Sequence, residues 1–228
     1  MPNDIPAPTA VLTVVFLAWM TGTIVVGTMT RLWGEVHPGH FKVLWLVGAG
    51  LSLAAGFGYH PAWIATVLCL ATFGLIYANG DRVGGLITAA ASVVILAAGV
   101  DLSPHPFAAA VLIGTVTNAM LLGHWHLNQP RLGTKPIARL VIGTWLGIGL
   151  FVASAIALIA IGRGEQSVRV LGAGTALAFT VFAGVLTAMV QHLVRTRSIM
   201  SATGILYLEI LLCFVAVFTG SLATLVAG

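Results

Sequence analysis

The chain has 228 residues, of which 59% are hydrophobic and 7% are charged, and its mean hydropathy is +1.05. A water-soluble domain carries about 25% charged residues, so this composition excludes one and predicts a polytopic membrane protein. The formal charge is +4, but the basic residues are scattered between apolar segments. We therefore expect them to set orientation and contact lipid headgroups, and we expect no nucleic acid partner.

Eight apolar segments approach the length of about 20 residues that a spanning helix needs. They cover roughly 9–32, 40–58, 61–79, 83–100, 106–128, 136–161, 169–194 and 201–226. The breaks between them are short and rich in glycine, proline and asparagine, which are turn residues. The sequence thus predicts an all-α, polytopic membrane bundle of about eight transmembrane helices, forming one domain over residues 1–228.

Orientation follows from the basic residues, because cytoplasmic loops are enriched in lysine and arginine. With the N-terminus outside, the inner connections hold eight basic residues: Arg31, Lys42, Arg82, Arg131, Lys135, Arg139, Arg195 and Arg197. The outer connections hold Arg163 and Arg169, together with the acidic Asp4, Asp101 and Glu165. An even number of spans returns the C-terminus to the outer side as well.

Glycine is abundant, with 27 residues, and much of it has the spacing that lets membrane helices approach closely. We expect most of it to serve helix packing. The stretches VGAG at 47–50 and LGAG at 171–174 hint at a duplication of four helices, but their flanking sequences do not match.

The first span ends at Arg31, which shares a helical stripe with Thr23 and Gly27. We expect its guanidinium to snorkel to the lipid headgroups; the alternative is contact with an acidic group or a quinone headgroup. The loop that follows contains His37 and His40, which would suit a metal ion. An ordinary solvated loop is the interpretation we favour there.

The fifth span contains the most unusual polar pattern of the chain. Thr117 and His124 share one helical face, and Asn118 lies close to it. Polar residues inside a membrane helix are costly and usually face the bundle or a cavity. His124 and His126 point about 200° apart on a regular helix, so they cannot chelate one metal together. We expect His124 to face inward and His126 to lie at headgroup level, with Trp125 as an interfacial anchor.

His192 lies near the inner end of the seventh span, after the small residues Gly184 and Ala188. Its depth should match that of His124. Two histidines at equal depth on different helices suit bis-histidine ligation of a haem b iron, or hydrogen bonding to a quinone. The alternative is that each is a structural histidine at the membrane interface.

Glu209 is an acidic residue well inside a predicted span, about 13 Å from the inner end of its helix. Such a carboxyl needs a partner, and Asn118, His124 and Arg31 are the candidates. It would serve proton transfer to a quinone, or the coupling step of a transporter. A structural hydrogen bond between helices is the alternative.

These features predict an integral membrane subunit of a respiratory or other redox complex, with a quinone or haem b site near the cytoplasmic face. We assign binding to one set of residues, with the first two as possible haem ligands: His124, His192, Arg31, His126 and Thr117. We assign proton transfer to Glu209 and Asn118. The alternatives are a small proton-coupled transporter or channel subunit that uses Glu209, and a scaffold without a cofactor.

The chain contains no P-loop, no G-x-S-x-G and no H-E-x-x-H motif, and its last span has no lysine for a retinal Schiff base. We therefore expect a quinone-reactive or non-catalytic subunit rather than a self-contained enzyme. Short loops leave little surface for soluble partners, which favours other membrane subunits. Compactness and the charge bias favour a bacterial plasma membrane.

Overall fold

The computed structural model describes residues 8–78, 80–100, 103–129, 132–161 and 166–227, and every regular element in these ranges is helical. The helices are α1 (Pro8–Leu32), α2 (Pro38–Gly56), α3 (Ala62–Leu75), α4 (Asp81–Gly99), α5 (Pro104–Asn128), α6 (Lys135–Ile161), α7 (Gln166–Arg195) and α8 (Ile199–Ala227). A 3₁₀ turn, Ile76–Ala78, continues α3.

The predicted helical membrane bundle is confirmed, and each predicted span coincides with one of the eight helices. Six helices, α1 and α4 to α8, are long and apolar enough to cross a membrane. Helix α3, with 14 residues, is about 21 Å long, shorter than a hydrocarbon core of about 30 Å. Five charged residues used to predict orientation lie outside the described residues: Asp4, Asp101, Arg131, Arg163 and Glu165.

Prolines fix where two of the helices begin. Pro38 and Pro104 occupy the first turns of α2 and α5, where a missing N–H costs no intrahelical hydrogen bond. His37 precedes Pro38 with extended backbone, and its Nδ1 accepts a hydrogen bond of 3.1 Å from Gly39 N. This cap satisfies a backbone donor that the helix leaves unpaired.

The helices form two groups of four. In the first, α1 to α4 each contact the next helix in sequence, and α4 returns to contact α1; α5 to α8 repeat this pattern. The main connection between the groups is α1 against α5. The VGAG and LGAG stretches lie on α2 and α7, the second helix of one group and the third of the other. They therefore do not mark equivalent positions.

Helices that contact each other within a group of four run in opposite directions, whereas α1 and α5 run in the same direction. Gly123 near the end of α5 faces Thr203 near the start of α8, and His105 at the start of α5 lies against Gly220 near the end of α8. The connections α1–α2, α3–α4, α5–α6 and α7–α8 therefore share one end of the bundle. We call it the basic end, because the predicted inner basic residues that the structure describes lie there.

Glycine brings α1 and α5 into backbone contact. A Cβ atom on Gly22 would overlap the carbonyl oxygen of Ala110, and one on Gly114 would overlap the backbone of Gly22. Asn118 Nδ2 donates across this crossing to Thr23 O at 3.2 Å and along its own helix to Gly114 O at 2.8 Å. The predicted role of glycine in close packing is thus confirmed at this contact.

Helices α1 and α5 are mostly buried, whereas the four other long helices direct large apolar side chains outward. Examples of these exposed side chains are Ile87, Leu146, Phe182 and Leu211. An apolar surface around a polar-lined centre is what a bilayer requires of a helical bundle.

We expect Gly114→Ala to lower the free energy of unfolding by about 1–3 kcal/mol, because the added methyl overlaps the backbone of α1. Gly149→Ala is the matched control: Gly149 is exposed on α6, and a Cβ there meets nothing within 4 Å. Thermal unfolding in detergent measures both. Equal melting temperatures for the two variants would contradict the assigned crossing.

Candidate functional site

An ion pair between α1 and α4 lies buried at the basic end. Arg31 Nε is 2.5 Å from Asp81 Oδ2 and its Nη2 is 3.1 Å from Asp81 Oδ1. Only 6% of Arg31 and none of Asp81 is exposed, and the Phe41 ring of α2 lies 5.4 Å from Arg31 Cζ. The expected snorkelling of Arg31 is therefore wrong: its guanidinium holds a carboxylate inside the protein.

A second ion pair at the same end is exposed. Arg139 Nη1 of α6 lies 2.9 Å from Glu35 Oε1 in the α1–α2 connection, and its Cζ is 5.2 Å from the Trp33 ring. About 45% and 36% of the two charged side chains are exposed, so water and salt screen this contact. This ion pair links the two groups of helices at the basic end.

Three aromatic side chains, His40, Trp125 and His126, form what we call the histidine cluster. The Trp125 ring meets His40 edge to face, with 6.0 Å between centroids and an interplanar angle of 63°. Gly39 makes room for it, since a Cβ there would lie 3.0 Å from Trp125 Cζ2. Trp125 Nε1 donates to Gln129 Oε1 at 3.0 Å. The cluster thus joins the start of α2 to the end of α5.

The cluster presents two unsatisfied ring nitrogens. His40 Nε2 and His126 Nε2 are buried and have no hydrogen-bond partner among the described residues. His126 Nδ1 is 3.1 Å from Leu122 O. A carbonyl only accepts, so Nδ1 carries the hydrogen and Nε2 keeps its lone pair. A buried polar atom left unpaired costs about 1–3 kcal/mol, and a ligand with polar groups would remove that cost.

The structure reverses the expected orientations of His124 and His126. His124 is exposed, and its Nδ1 lies 3.4 Å from the hydroxyl of Tyr207 on α8. His126 is partly buried. His192 is exposed near the end of α7, and within the described residues no hydrogen bond or ring contact joins it to His124. Haem ligation by His124 and His192 therefore stays a prediction.

Thr117 and Asn118 lie at the crossing of α1 and α5 rather than in the histidine cluster. Thr117 Oγ1 accepts a hydrogen bond of 2.8 Å from Trp19 Nε1, and the Trp19 ring lies 5.7 Å from that of Phe214 on α8. Both polar side chains are buried. Their hydrogen bonds hold helices together at mid-membrane, and the proposed participation of Asn118 in proton transfer stays a prediction.

Glu209 is buried between α8 and α7, with 1% of the residue exposed. Its Oε1 lies 2.5 Å from Thr187 Oγ1, and its Oε2 has no hydrogen-bond partner within the described ranges. Sequence reasoning proposed Asn118, His124 or Arg31 as the partner and missed Thr187. A single threonine on an apolar helix gives no signal of its own.

His105 stands between Pro104 and Pro106, a sequence typical of a loop, but the structure places it in a helix. It lies in the first turn of α5, 1% exposed, with Nδ1 3.0 Å from Ser154 Oγ of α6. Its ring contacts Phe151 at 4.7 Å and occupies the space left by Gly220. His105 Nε2 is also buried without a partner in the described part of the chain.

Within the described residues, no three histidine, cysteine, aspartate or glutamate side chains converge as a metal site would require. Comparisons with family models, with curated proteins and with solved structures gave no match.

We expect Arg31→Met to lower the free energy of unfolding by about 3–5 kcal/mol, because it leaves Asp81 buried and unpaired. Arg139→Met should cost less than about 1 kcal/mol, since that pair is exposed. Thermal unfolding in detergent provides the comparison.

The double variant Arg31→Met with Asp81→Leu should recover most of that loss, because apolar side chains can replace a buried ion pair at little cost. If Arg31→Met and Arg139→Met unfold at the same temperature, Arg31 is not holding a buried carboxylate.

Proposed function

We propose that the protein is an integral membrane subunit of a redox complex that binds a quinone headgroup at its basic end. The observation that carries the proposal is the pair of buried, open Nε2 atoms of His40 and His126 beside the Trp125 ring. Arg31 does not line the site. It stabilises the site through its ion pair with Asp81 and its contact with Phe41, the residue after His40.

The chemistry of a quinone fits this cluster. A quinone has a flat ring with two oxygens and an apolar tail, so it needs an aromatic wall, a few hydrogen bonds and access from lipid. The lone pair of His126 Nε2 would accept the hydroxyl hydrogen of the reduced form. The Trp125 ring, edge-on to His40 at 6.0 Å, would provide the aromatic wall.

The two pairs of histidines differ in burial, and this difference favours a quinone over haem b. A haem iron needs two axial nitrogens aimed at one point, and His124 and His192 are both exposed on their helices. His40 and His126 have their open nitrogens buried, and His40 lies against the Trp125 ring that precedes His126 in the chain.

The apolar surface of the long helices indicates which partners the protein would have. The described connections are short, and the long helices expose apolar side chains such as Leu146 and Phe182. A redox subunit of this kind passes electrons to a cofactor carried by another subunit, which would lie against these faces in the membrane. The basic end would face the cytoplasm of a bacterial cell, as the distribution of positive charge favours.

We expect the purified protein to bind a short-chain quinone analogue, and His126→Ala to weaken that binding about tenfold, the equivalent of one hydrogen bond of about 1.4 kcal/mol. His40→Ala should act in the same direction. His60→Ala is the control, because His60 is exposed at the opposite end of the bundle. Equilibrium binding in detergent measures the affinity of each variant for the analogue. Extraction of the native preparation measures the quinone that it already holds.

Unchanged affinity in both cluster variants would overturn the quinone site. A reduced-minus-oxidised spectrum distinguishes haem: a b-type band lost in His124→Ala or His192→Ala would assign the cofactor to those residues instead. If all five histidines at the basic end tolerate substitution without any loss, the scaffold interpretation replaces the redox proposal.

A proton-coupled transporter is the second candidate, favoured by the buried carboxyl of Glu209. An acidic residue inside a membrane helix bundle commonly marks an ion or proton pathway. If the protein is such a transporter, reconstituted liposomes should show substrate-dependent proton flux. Glu209→Gln should abolish that flux, and the wild-type protein should not bind a quinone.

A further inference from the structure

Helices α7 and α8 enclose an acidic group that the histidine cluster does not use. Glu209 on α8 and Thr187 on α7 are each 1% exposed, and their side-chain oxygens lie 2.5 Å apart. One turn after Glu209, the thiol of Cys213 is fully buried. The contact is therefore enclosed by the protein.

The Thr187 hydroxyl lies between two oxygen atoms. Its Oγ1 is 2.9 Å from Ala183 O and 2.5 Å from Glu209 Oε1, but a hydroxyl has only one hydrogen. An ionised Glu209 would leave both contacts to share that hydrogen. A protonated Glu209 would bring a second hydrogen, so that each contact could have its own.

The surroundings lead to the same protonation state. Glu209 Oε2 has no partner among the described residues, and an ionised carboxylate left bare in an apolar interior is very unfavourable. The candidate cations are engaged elsewhere: Arg31 pairs with Asp81, and His124 contacts Tyr207. Cys213, one turn further along α8, is a fully buried thiol and supplies no positive charge.

We propose that Glu209 is a proton-binding site, in which a neutral carboxylic acid donates to Thr187 Oγ1 and Thr187 donates to Ala183 O. The ligand is a proton, held between α7 and α8 and away from the histidine cluster. The site does not depend on quinone binding. Under either proposed function it supplies a group that can hold one proton inside the membrane.

Infrared spectroscopy of the reconstituted protein at neutral pH tests this assignment. A protonated carboxylic acid has a carbonyl stretch separate from the amide and carboxylate bands. With six acidic residues in the chain, few groups can contribute. We expect this band in the wild type, its loss in Glu209→Gln and its retention in Glu35→Gln, the exposed matched control.

Thr187→Val keeps the carboxyl group and removes its hydrogen-bond partner, so the band should move to higher frequency without losing intensity. This variant also tests the proposal if Glu209→Gln fails to fold. Absence of the band in the wild type, or a band that is unchanged in both α7 and α8 variants, would overturn the proposal. Quinone binding by the histidine cluster is measured separately, so the two proposals fail independently.

Discussion

The crossing of α1 and α5 is the contact on which the rest of the structure depends. Two glycines, Gly22 and Gly114, allow the backbones to touch, and Asn118 adds a hydrogen bond to Thr23 O at the same level. Lipid offers no hydrophobic drive between helices, so such close contacts and interhelical hydrogen bonds hold a membrane bundle together. The two groups of four helices are joined mainly here.

This crossing also fixes the rotation of α5, and rotation decides which side chains meet at the basic end. Trp125 follows Asn118 by about two turns and so lies on nearly the same face of the helix. It therefore points toward α1 and α2, where Gly39 accommodates its ring. His126 comes next to it and His124 is turned toward α8, where it contacts Tyr207.

Polar side chains inside the described bundle are satisfied in two ways. Many hydroxyls donate to a carbonyl of their own helix, as Thr117 does to Ile113 O. Others join two helices, as Trp19 does with Thr117 and His105 with Ser154. Such hydrogen bonds satisfy polar atoms that neither lipid nor water can reach. Several buried polar atoms have no partner among the described residues, and two of them, His40 Nε2 and His126 Nε2, belong to the histidine cluster, where we propose ligand binding.

Two sites of different chemistry result. The histidine cluster lies where α2 begins and α5 ends, and it combines aromatic surface with open imidazole nitrogens. Glu209 lies deeper, between α7 and α8, with a hydroxyl partner and no cation among the described residues. We propose a lipid-soluble redox ligand for the first site and a proton for the second. The two proposals are compatible, because reduction of a quinone takes up protons as well as electrons.

The sequence by itself determined the membrane class, the number and order of the helices, and the presence of an acidic group within a span. These follow from runs of apolar residues and from turn residues, which are local properties. It did not determine that Arg31 pairs with Asp81, that Glu209 meets Thr187, or that His126 rather than His124 turns inward. Those contacts join residues on different helices or depend on helix rotation. Only the tertiary structure decides them, because they depend on how each helix is turned against its neighbours, as close packing at Gly22 and Gly114 does for α1 and α5.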